Sequence, residues 1–268
     1  MVAVSVLLPT FNEKPERLVV ALQSISSQTL QYFEVIIIDD SNQDKTRKCL
    51  DEWAKKNTNS ILCRPPTKKN LAAALNHGLR LASGKYIARV DSDDIQESAR
   101  LAFQFNFLEN HPEIGVVGTA VKLIDENGNL LGQKKFPADS STIKKALCVK
   151  NAISHATVMY RKKCVEMFGG YNEKFVAAED YEMWMRWRNN GVEFANIEEK
   201  LVVYRVPNAC RRNRFNWQHN LQAKILHFQK KYLLRNLCGI LLVFLAWVFP
   251  PRLLEPIYRR WVATKATH

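Results

Sequence analysis

Two stretches of strand-forming residues end in clustered carboxylates: Phe33 to Ile38 closes on Asp39-Asp40, and Tyr86 to Val90 runs directly into Asp91-Ser-Asp-Asp94. Val2 to Leu8 is a third such stretch, ended by Pro9-Thr10, and the segment that follows it carries Leu18, Leu22 and Ile25 at helical spacing. Strand, helix and strand make a βαβ opening. Cys49 to Lys56 predicts a second helix, Ser60 to Cys63 a short strand, and Leu71 to Ala82 a third helix with Gly84 near its end. This alternation predicts an α/β fold with a mostly parallel sheet flanked by helices, whose ligands lie beyond the carboxyl ends of the strands. Both acidic clusters fall at such ends.

Farther along, a helix is expected through Phe103, Phe107 and Leu108, followed by strand material from Ile114 to Ile124 broken by glycines and a turn at Asp125 to Gly128. A helix beginning near Glu179-Asp180 continues through Trp184 and Arg188, and Leu201 to Val206 reads as a strand. Residues 216 to 235 predict one amphipathic helix with Leu221, Ile225, Phe228 and Tyr232 on one side and Lys224, Lys231 and Arg235 elsewhere.

The net charge of +13 is unevenly spread: residues 205–268 hold twelve Lys or Arg against the single acid Glu255, which leaves +2 for everything before them. The early aromatics lack basic interleaving, so the charge points to an anionic membrane surface and not to nucleic acid. Leu237 to Phe249 is uncharged but gives only about 20 Å of helix against a hydrocarbon layer of roughly 30 Å. It is expected to lie on a membrane without crossing it, with packing on the protein or in a homodimer contact as the alternative. The chain thus divides into a sheet-bearing domain, 1–207, and a helical tail, 208–268. With 268 residues and 47% apolar content it can bury one substantial core. Its six cysteines form no short-spaced pair and no cleavable signal precedes the first strand, which fits a reducing compartment.

Asp91 and Asp93, separated by one serine, can direct oxygens at one hard cation such as Mg²⁺ or Mn²⁺ that phosphates also bridge; a solvated acidic turn in which an aspartate caps the next helix is the competing reading. Asp39-Asp40 can accept hydrogen bonds from a base or ribose, or cap a helix. Glu179-Asp180 can supply a general base or cap α-helical N–H groups. Neither Gly-x-Gly-x-x-Gly nor Gly-x-x-x-x-Gly-Lys-Ser/Thr occurs, so a nucleotide, if the chain binds one, is held by other means.

Taken in order, Val4 to Glu13, Val35 to Ser41, Ala72 to Leu79, Gly84 to Asp94, and Gly169-Gly-Tyr171 with Ala178 to Arg186 resemble the family 2 inverting glycosyltransferases of GT-A fold, in particular bacterial enzymes of lipid-linked surface polysaccharide assembly. The resemblance covers residues 2 to about 207. It implies that Pro9, Thr10 and Glu13 form the first nucleotide-contacting loop and that Asp39 or Asp40 recognises uracil. It implies that Asp91 and Asp93 surround the metal and diphosphate, that Asp180 is the base, and that Arg186 supports the loop or meets phosphate. His155 matches a segment where a histidine often lies near the donor, with a strand-end hydrogen-bonding role as the alternative. Two departures are Asn42 and Asn70, expected as a cap and as a left-handed residue. The implied reaction moves a hexose or N-acetylhexosamine from a UDP-sugar to a lipid-linked saccharide at the cytoplasmic face of a bacterial inner membrane. A sugar-nucleotide nucleotidyltransferase would instead carry a basic pyrophosphate loop, and residues 9–13 contain no Arg or Lys; a non-catalytic basic membrane-binding protein is the other alternative.

Overall fold

The computed structural model describes residues 2–66, 69–207 and 214–249. In chain order the elements are β1 Val4–Thr10, α1 Pro15–Ser26, β2 Phe33–Asp39, α2 Asp44–Lys56, β3 Ser60–Cys63, α3 Leu71–Leu81, β4 Tyr86–Arg89, β5 Ile95–Gln96 and α4 Arg100–Asn110. They continue as β6 Ile114–Ile124, β7 Leu130–Lys134, α5 Ser140–Leu147, β8 Met159–Arg161, α6 Lys162–Phe168, α7 Glu179–Asn189, β9 Glu193–Arg205, α8 Arg214–Leu226 and α9 Leu233–Val248.

One sheet takes the order β3-β2-β1-β4-β8-β6-β9-β5, and β7 pairs antiparallel with the end of β6 off this path. The β3-β2-β1-β4 half is parallel, and β8 enters antiparallel between β4 and β6. The apolar runs are continuous because both faces of this half are covered. Leu7, Ile36, Ile38 and Ile87 face one core with α3 and α7, while Val6, Leu8, Val35, Ile37 and Ala88 face the other with α1 and α2. A shift of one residue in register would exchange these two sets.

Several boundaries differ from the sequence reading. β1 continues through Pro9 and Thr10, since its pairing with β4 stops at Leu7–Arg89 and Pro9 lies beyond that ladder. β6 is unbroken: Gly118 is needed for close approach, as a Cβ there would come 2.3 Å from Asn196 Oδ1 on β9. β9 starts at Glu193, eight residues before the expected Leu201. Asn70 caps α3 by accepting the Ala73 N–H at 2.9 Å, in extended and not left-handed backbone.

The expected helix over 216–235 is interrupted after Leu226 and resumes at Leu233. The cause is packing: α8 turns Ala223 and Lys224 into the protein and leaves Ile225 and Leu226 outside, the reverse of the expected faces. Two of the cations counted in the tail are therefore not surface charges, because Lys224 and Arg205 are both buried. α9 is also longer than the thirteen uncharged residues suggest. Lys230–Val248 spans 19 residues with a mean hydropathy of 1.6, long and apolar enough to cross a membrane by length and composition. Arg252, Arg259 and Arg260, three of the twelve cations counted in the tail, and Cys210 lie outside the described residues. The other five cysteines are free.

Candidate active site

The carboxyl ends of β1 and β2 form the first part of the site. Thr10 and Asp39 are register partners, and the Asp40 N–H donates to the Thr10 carbonyl at 2.9 Å. Asn12 adopts left-handed backbone, φ 52°, which asparagine tolerates better than most residues. Its Oδ1 accepts the N–H groups of Asn42 and Gln43 at 2.9 and 3.2 Å, and its own N–H donates to Ser41 Oγ at 3.0 Å. Thus Asn12, and not Asn42, supplies the capping oxygen ahead of α2. Thr46 Oγ1 donates to the Glu13 carbonyl at 2.9 Å. Pro9, Thr10, Glu13, Asp39 and Asp40 consequently lie at one tied pair of strand ends and the loops that leave them. Asp39 is buried, with Oδ1 accepting the Ser41 N–H at 2.9 Å and Oδ2 accepting Arg64 Nε at 2.7 Å. Thr10 Oγ1 is buried with no hydrogen-bond partner among the described residues.

At the end of β4, Asp91, Asp93 and Asp94 bring carboxylate oxygens within 4.8 Å of one another. Sequence reasoning assigned the first two to a cation and gave Asp94 no separate role. The structure makes Asp94 the most buried of the three: Oδ1 accepts the Arg205 N–H at 2.8 Å, while Oδ2 is buried without a hydrogen-bond partner. Burial, and then repulsion by Asp91 and Asp93, hold its carboxyl well above the usual aspartate range. Three oxygen donors in this space, one of them buried and unsatisfied, suit a hard divalent cation.

Arg89 is a residue that motif reading passed over. It is a buried arginine on an otherwise apolar strand and forms an ion pair with Asp91. Its charge also acts on Asp94, Glu179, Asp180 and His155. The signal was present as an arginine inside a strand whose neighbours are all apolar.

The start of α7 forms the third part. Its cap position is Ala178, in left-handed backbone (φ 59°) and without a side-chain cap bond, so neither Glu179 nor Asp180 is the capping residue. A left-handed non-glycine residue costs on the order of 1 kcal/mol and clusters at functional sites. Asp180 Oδ1 accepts the Tyr181 N–H and Oδ2 accepts Asn151 Nδ2, both at 2.7 Å. Burial raises the Asp180 pKa and these two donors oppose the rise. Burial, followed by the Asp180 charge, pushes Glu179 up to about 7.

His155 Nε2 is 2.9 Å from the Tyr171 hydroxyl, and Nδ1 is 3.8 Å from Glu179 Oε1. Burial and then Arg89 push its pKa well down, giving a neutral imidazole that is not part of the aspartate cluster. Of the two roles expected for Arg186, the geometry shows the loop-supporting one. Its guanidinium donates to Glu182 Oε1 and Oε2 at 3.0 and 3.1 Å and to the carbonyls of Phe168, Gly169 and Gly170. These bonds occupy Nε and both terminal nitrogens. The cofactor-binding role expected for Arg186 would have to be met by a guanidinium already committed to Glu182 and these carbonyls.

The chain has known relatives and structural neighbours. A glycosyltransferase from Methanocaldococcus jannaschii, MJ1057, is 34% identical over 209 residues, which cover 76% of this chain and 71% of that one. The amylovoran biosynthesis glycosyltransferase AmsE of Erwinia amylovora is 31% identical over 236 residues, 87% and 86% of the two chains. The UDP-Gal:alpha-D-GlcNAc-diphosphoundecaprenol beta-1,3-galactosyltransferase of Escherichia coli is 29% identical over 213 residues, 78% and 76%. Among solved structures, S. aureus TarS 1-349 in complex with UDP-GlcNAc superposes with a TM-score of 0.68 at 19% identity, covering 91% of this chain and 73% of that one. The longer TarS chain is covered to 43%. The mannosyltransferase PcManGT of Pyrobaculum calidifontis, in complex with GDP-Man and Mn2+, gives a TM-score of 0.65 at 19% identity, covering 97% and 80%. These likenesses establish the GT-A architecture, and the sequence profile described as Glycosyl transferase family 2 matches residues 5–168. The chain belongs to glycosyl transferase family 2.

Proposed function

We propose that the protein transfers a hexose or N-acetylhexosamine from a UDP-sugar to a lipid-linked saccharide, with inversion at the anomeric carbon. The observation that carries this reading is the presence of two separately held acidic centres, the Asp91-Asp93-Asp94 cluster and the Asp180 carboxylate, with the Arg89 charge acting on both. Asp91, Asp93 and Asp94 would hold Mn²⁺ or Mg²⁺. When bound, the cation supplies positive charge that offsets the leaving diphosphate. Thr10, Asp39, Asp40 and the Asn12-ordered loop bind the nucleoside. Asp180 accepts the proton of the acceptor hydroxyl as the new bond forms, and its two hydrogen bonds fix the direction in which it presents its oxygens. Its raised pKa favours that proton transfer.

The named UDP-Gal activity of the Escherichia coli relative, and UDP-GlcNAc in the TarS complex, support a UDP-sugar donor. The diphosphoundecaprenol in that relative's name supports a lipid-linked acceptor and with it a site of action at a membrane surface. α9 supports the same placement. Asn236, Gly239, Val243 and Ala246 form one buried stripe, while Leu234, Leu237, Leu241 and Leu245 are exposed. A helix docked on the protein along one face can lay the other in a membrane interface.

The test is a panel of UDP- and GDP-sugars with Mn²⁺ and an undecaprenyl-diphosphate-linked N-acetylglucosamine acceptor, read by product mass, nucleotide release and proton NMR of the new linkage. Transfer from a UDP-sugar with inverted configuration is expected. Retention, or transfer from GDP-mannose alone, would overturn the mechanism or the donor assignment respectively.

A further inference from the structure

Lys224 belongs to the segment that reads as tail, yet it is only 2% exposed. Its Nζ donates to the Cys148 carbonyl at 2.8 Å and to the Tyr181 hydroxyl at 2.6 Å. Those two acceptors lie in the two segments that fix Asp180. Tyr181 gives its backbone N–H to Asp180 Oδ1, and Asn151, three residues beyond Cys148, gives Nδ2 to Oδ2. The Tyr181 hydroxyl in turn donates to the Leu147 carbonyl, so it accepts from the lysine and donates to the end of α5. One ammonium therefore cross-links the first turn of α7 to the strand of chain that leads from α5 to Asn151. A buried ammonium is stable only with such partners, and removing it leaves their oxygens unsatisfied.

α9 rests on the same peptide. A Cβ at Gly239 would come 2.0 Å from the Cys148 oxygen, so the helix packs directly on the carbonyl that Lys224 holds. Neighbouring contacts make the junction continuous: Arg188 Nη2 and Asn189 Nδ2 donate to the His227 carbonyl at 3.0 and 3.1 Å, and the His227 ring meets Glu182 at 2.8 Å.

We infer that Lys224 is a positioning residue for the general base, and that α8 with α9 is a brace of the catalytic unit which transmits the seating of the membrane-facing helix to Asp180. This rests on the reading of Asp180 as the base. Two arms set that carboxylate, and both are anchored at the same lysine, so loosening the lysine changes the direction of both Asp180 hydrogen bonds while leaving the donor loops and the Asp91 turn in place.

The experiment compares full-length Lys224→Met, Tyr181→Phe, Gly239→Val and Asp180→Asn. Turnover and donor KM are measured by UDP release with whichever of UDP-galactose, UDP-glucose and UDP-N-acetylglucosamine the wild type uses fastest. UDP affinity is measured by calorimetry and folding by thermal melting. Lys224→Met and Tyr181→Phe are expected to lower kcat on the order of tenfold to a hundredfold, with donor KM and UDP affinity changed less than about twofold. Gly239→Val, which forces α9 off Cys148, should show the same division. Wild-type kcat in a folded Lys224→Met or Tyr181→Phe overturns the inference, as does an equal fall in kcat and UDP affinity. If Lys224→Met melts below the assay temperature, Tyr181→Phe decides, since it keeps the ring and loses only the hydroxyl. An active Asp180→Asn strikes the assignment of the base itself; an inactive Asp180→Asn beside a fully active Lys224→Met strikes the brace alone.

Discussion

Asn151 and Asp180, 29 residues apart in sequence, are joined by a hydrogen bond of 2.7 Å from Nδ2 to Oδ2. The bond orients one carboxylate oxygen and leaves the group ionisable, which suits a base better than an ion pair would. Asp180→Asn is expected to lower kcat by about 10³-fold, and Asn151→Ala by about tenfold, with UDP affinity kept in both. Steady-state kinetics beside calorimetric UDP titration checks this; parallel losses of turnover and UDP affinity would assign Asp180 to donor binding.

Glu179 and Asp180 make a pH prediction with two signs. Asp180 acts as a carboxylate, so kcat should fall as pH drops through its raised pKa, on the acid side but above the ordinary aspartate range. For stability the direction reverses. A folded-state pKa above the unfolded one means that the fold favours the protonated carboxyl, so this contribution is present at low pH and is lost as pH rises through about 7 for Glu179. Glu179→Gln should therefore raise Tm at pH 8, by the equivalent of at most about 3 kcal/mol, and leave it unchanged at pH 4. Melting curves at both pH values, with the pH–rate profile, are the measurements; a lower Tm at pH 8 would contradict the account.

The aspartate cluster predicts opposite effects on activity and on metal-free stability. Asp91→Asn, Asp93→Asn and Asp94→Asn should each lower turnover by about a hundredfold or more and weaken Mn²⁺ binding. Without metal, Asp94→Asn should melt higher than the wild type, because it removes a buried carboxyl that two neighbours repel. Mn²⁺ titration followed by electron paramagnetic resonance, and melting in chelator, test the two halves separately. Undiminished Mn²⁺ affinity in all three variants would exclude this cation site.

The parts of the fold that were legible in sequence are those whose signal is local. β2, β3 and β4 show as short apolar or strand-forming runs, and the acidic ends of β2 and β4 mark where ligands gather. The stretch from β7 to α6 was not legible. β7 exposes Leu130 and Leu131 and so lacks an inward apolar face, α5 is only 8 residues long, and β8 is 3. The same distinction runs through the site. Asp91, Asp93 and Asp180 stand in short motifs, whereas the parts of Asn151 and Lys224 depend on partners 29 and 76 residues away that no local pattern announces. Counting Lys224 as surface charge failed for that reason.

Arg186 should behave as a structural residue. Its partner Glu182 is 1% exposed, also bonds His227, and would be left with an unbalanced buried charge if the arginine were removed. Arg186→Ala is expected to cost about 3 kcal/mol of stability, with a much smaller effect on UDP affinity in the fraction that remains folded. Arg186→Lys should recover only part of the loss, since an ammonium cannot span Glu182 and three successive carbonyls. Denaturant unfolding gives the first quantity and calorimetry the second; a selective loss of UDP affinity at wild-type stability would restore a phosphate-contacting role.

The last prediction separates the two stripes of α9. Asn236, Gly239, Val243 and Ala246 recur at spacings of three, four and three, the pattern of a helix face packed on protein, and all four are buried. Leu234, Leu241 and Leu242 are exposed by 81%, 56% and 51%, so none of them is committed to that packing. Lys230, Lys231 and Arg235 are exposed at the same end and can meet anionic headgroups while the leucines enter the interface. Burying a leucine side chain is worth about 1.5–3 kcal/mol, so Leu234→Ser, Leu241→Ser and Leu242→Ser combined should weaken liposome binding by several kcal/mol without unfolding the protein. Co-sedimentation with vesicles containing phosphatidylglycerol should fall sharply, turnover on lipid-linked acceptor should fall with it, and UDP affinity should stay the same. High salt should remove only part of the wild-type binding, because screening acts on the lysines and arginine and not on the leucines. Gly239→Val gives the complementary case: it attacks the packed stripe, so it should lower kcat even toward an acceptor presented in detergent, where membrane attachment no longer counts. If the triple serine variant binds vesicles as the wild type does, the exposed stripe is not the anchor.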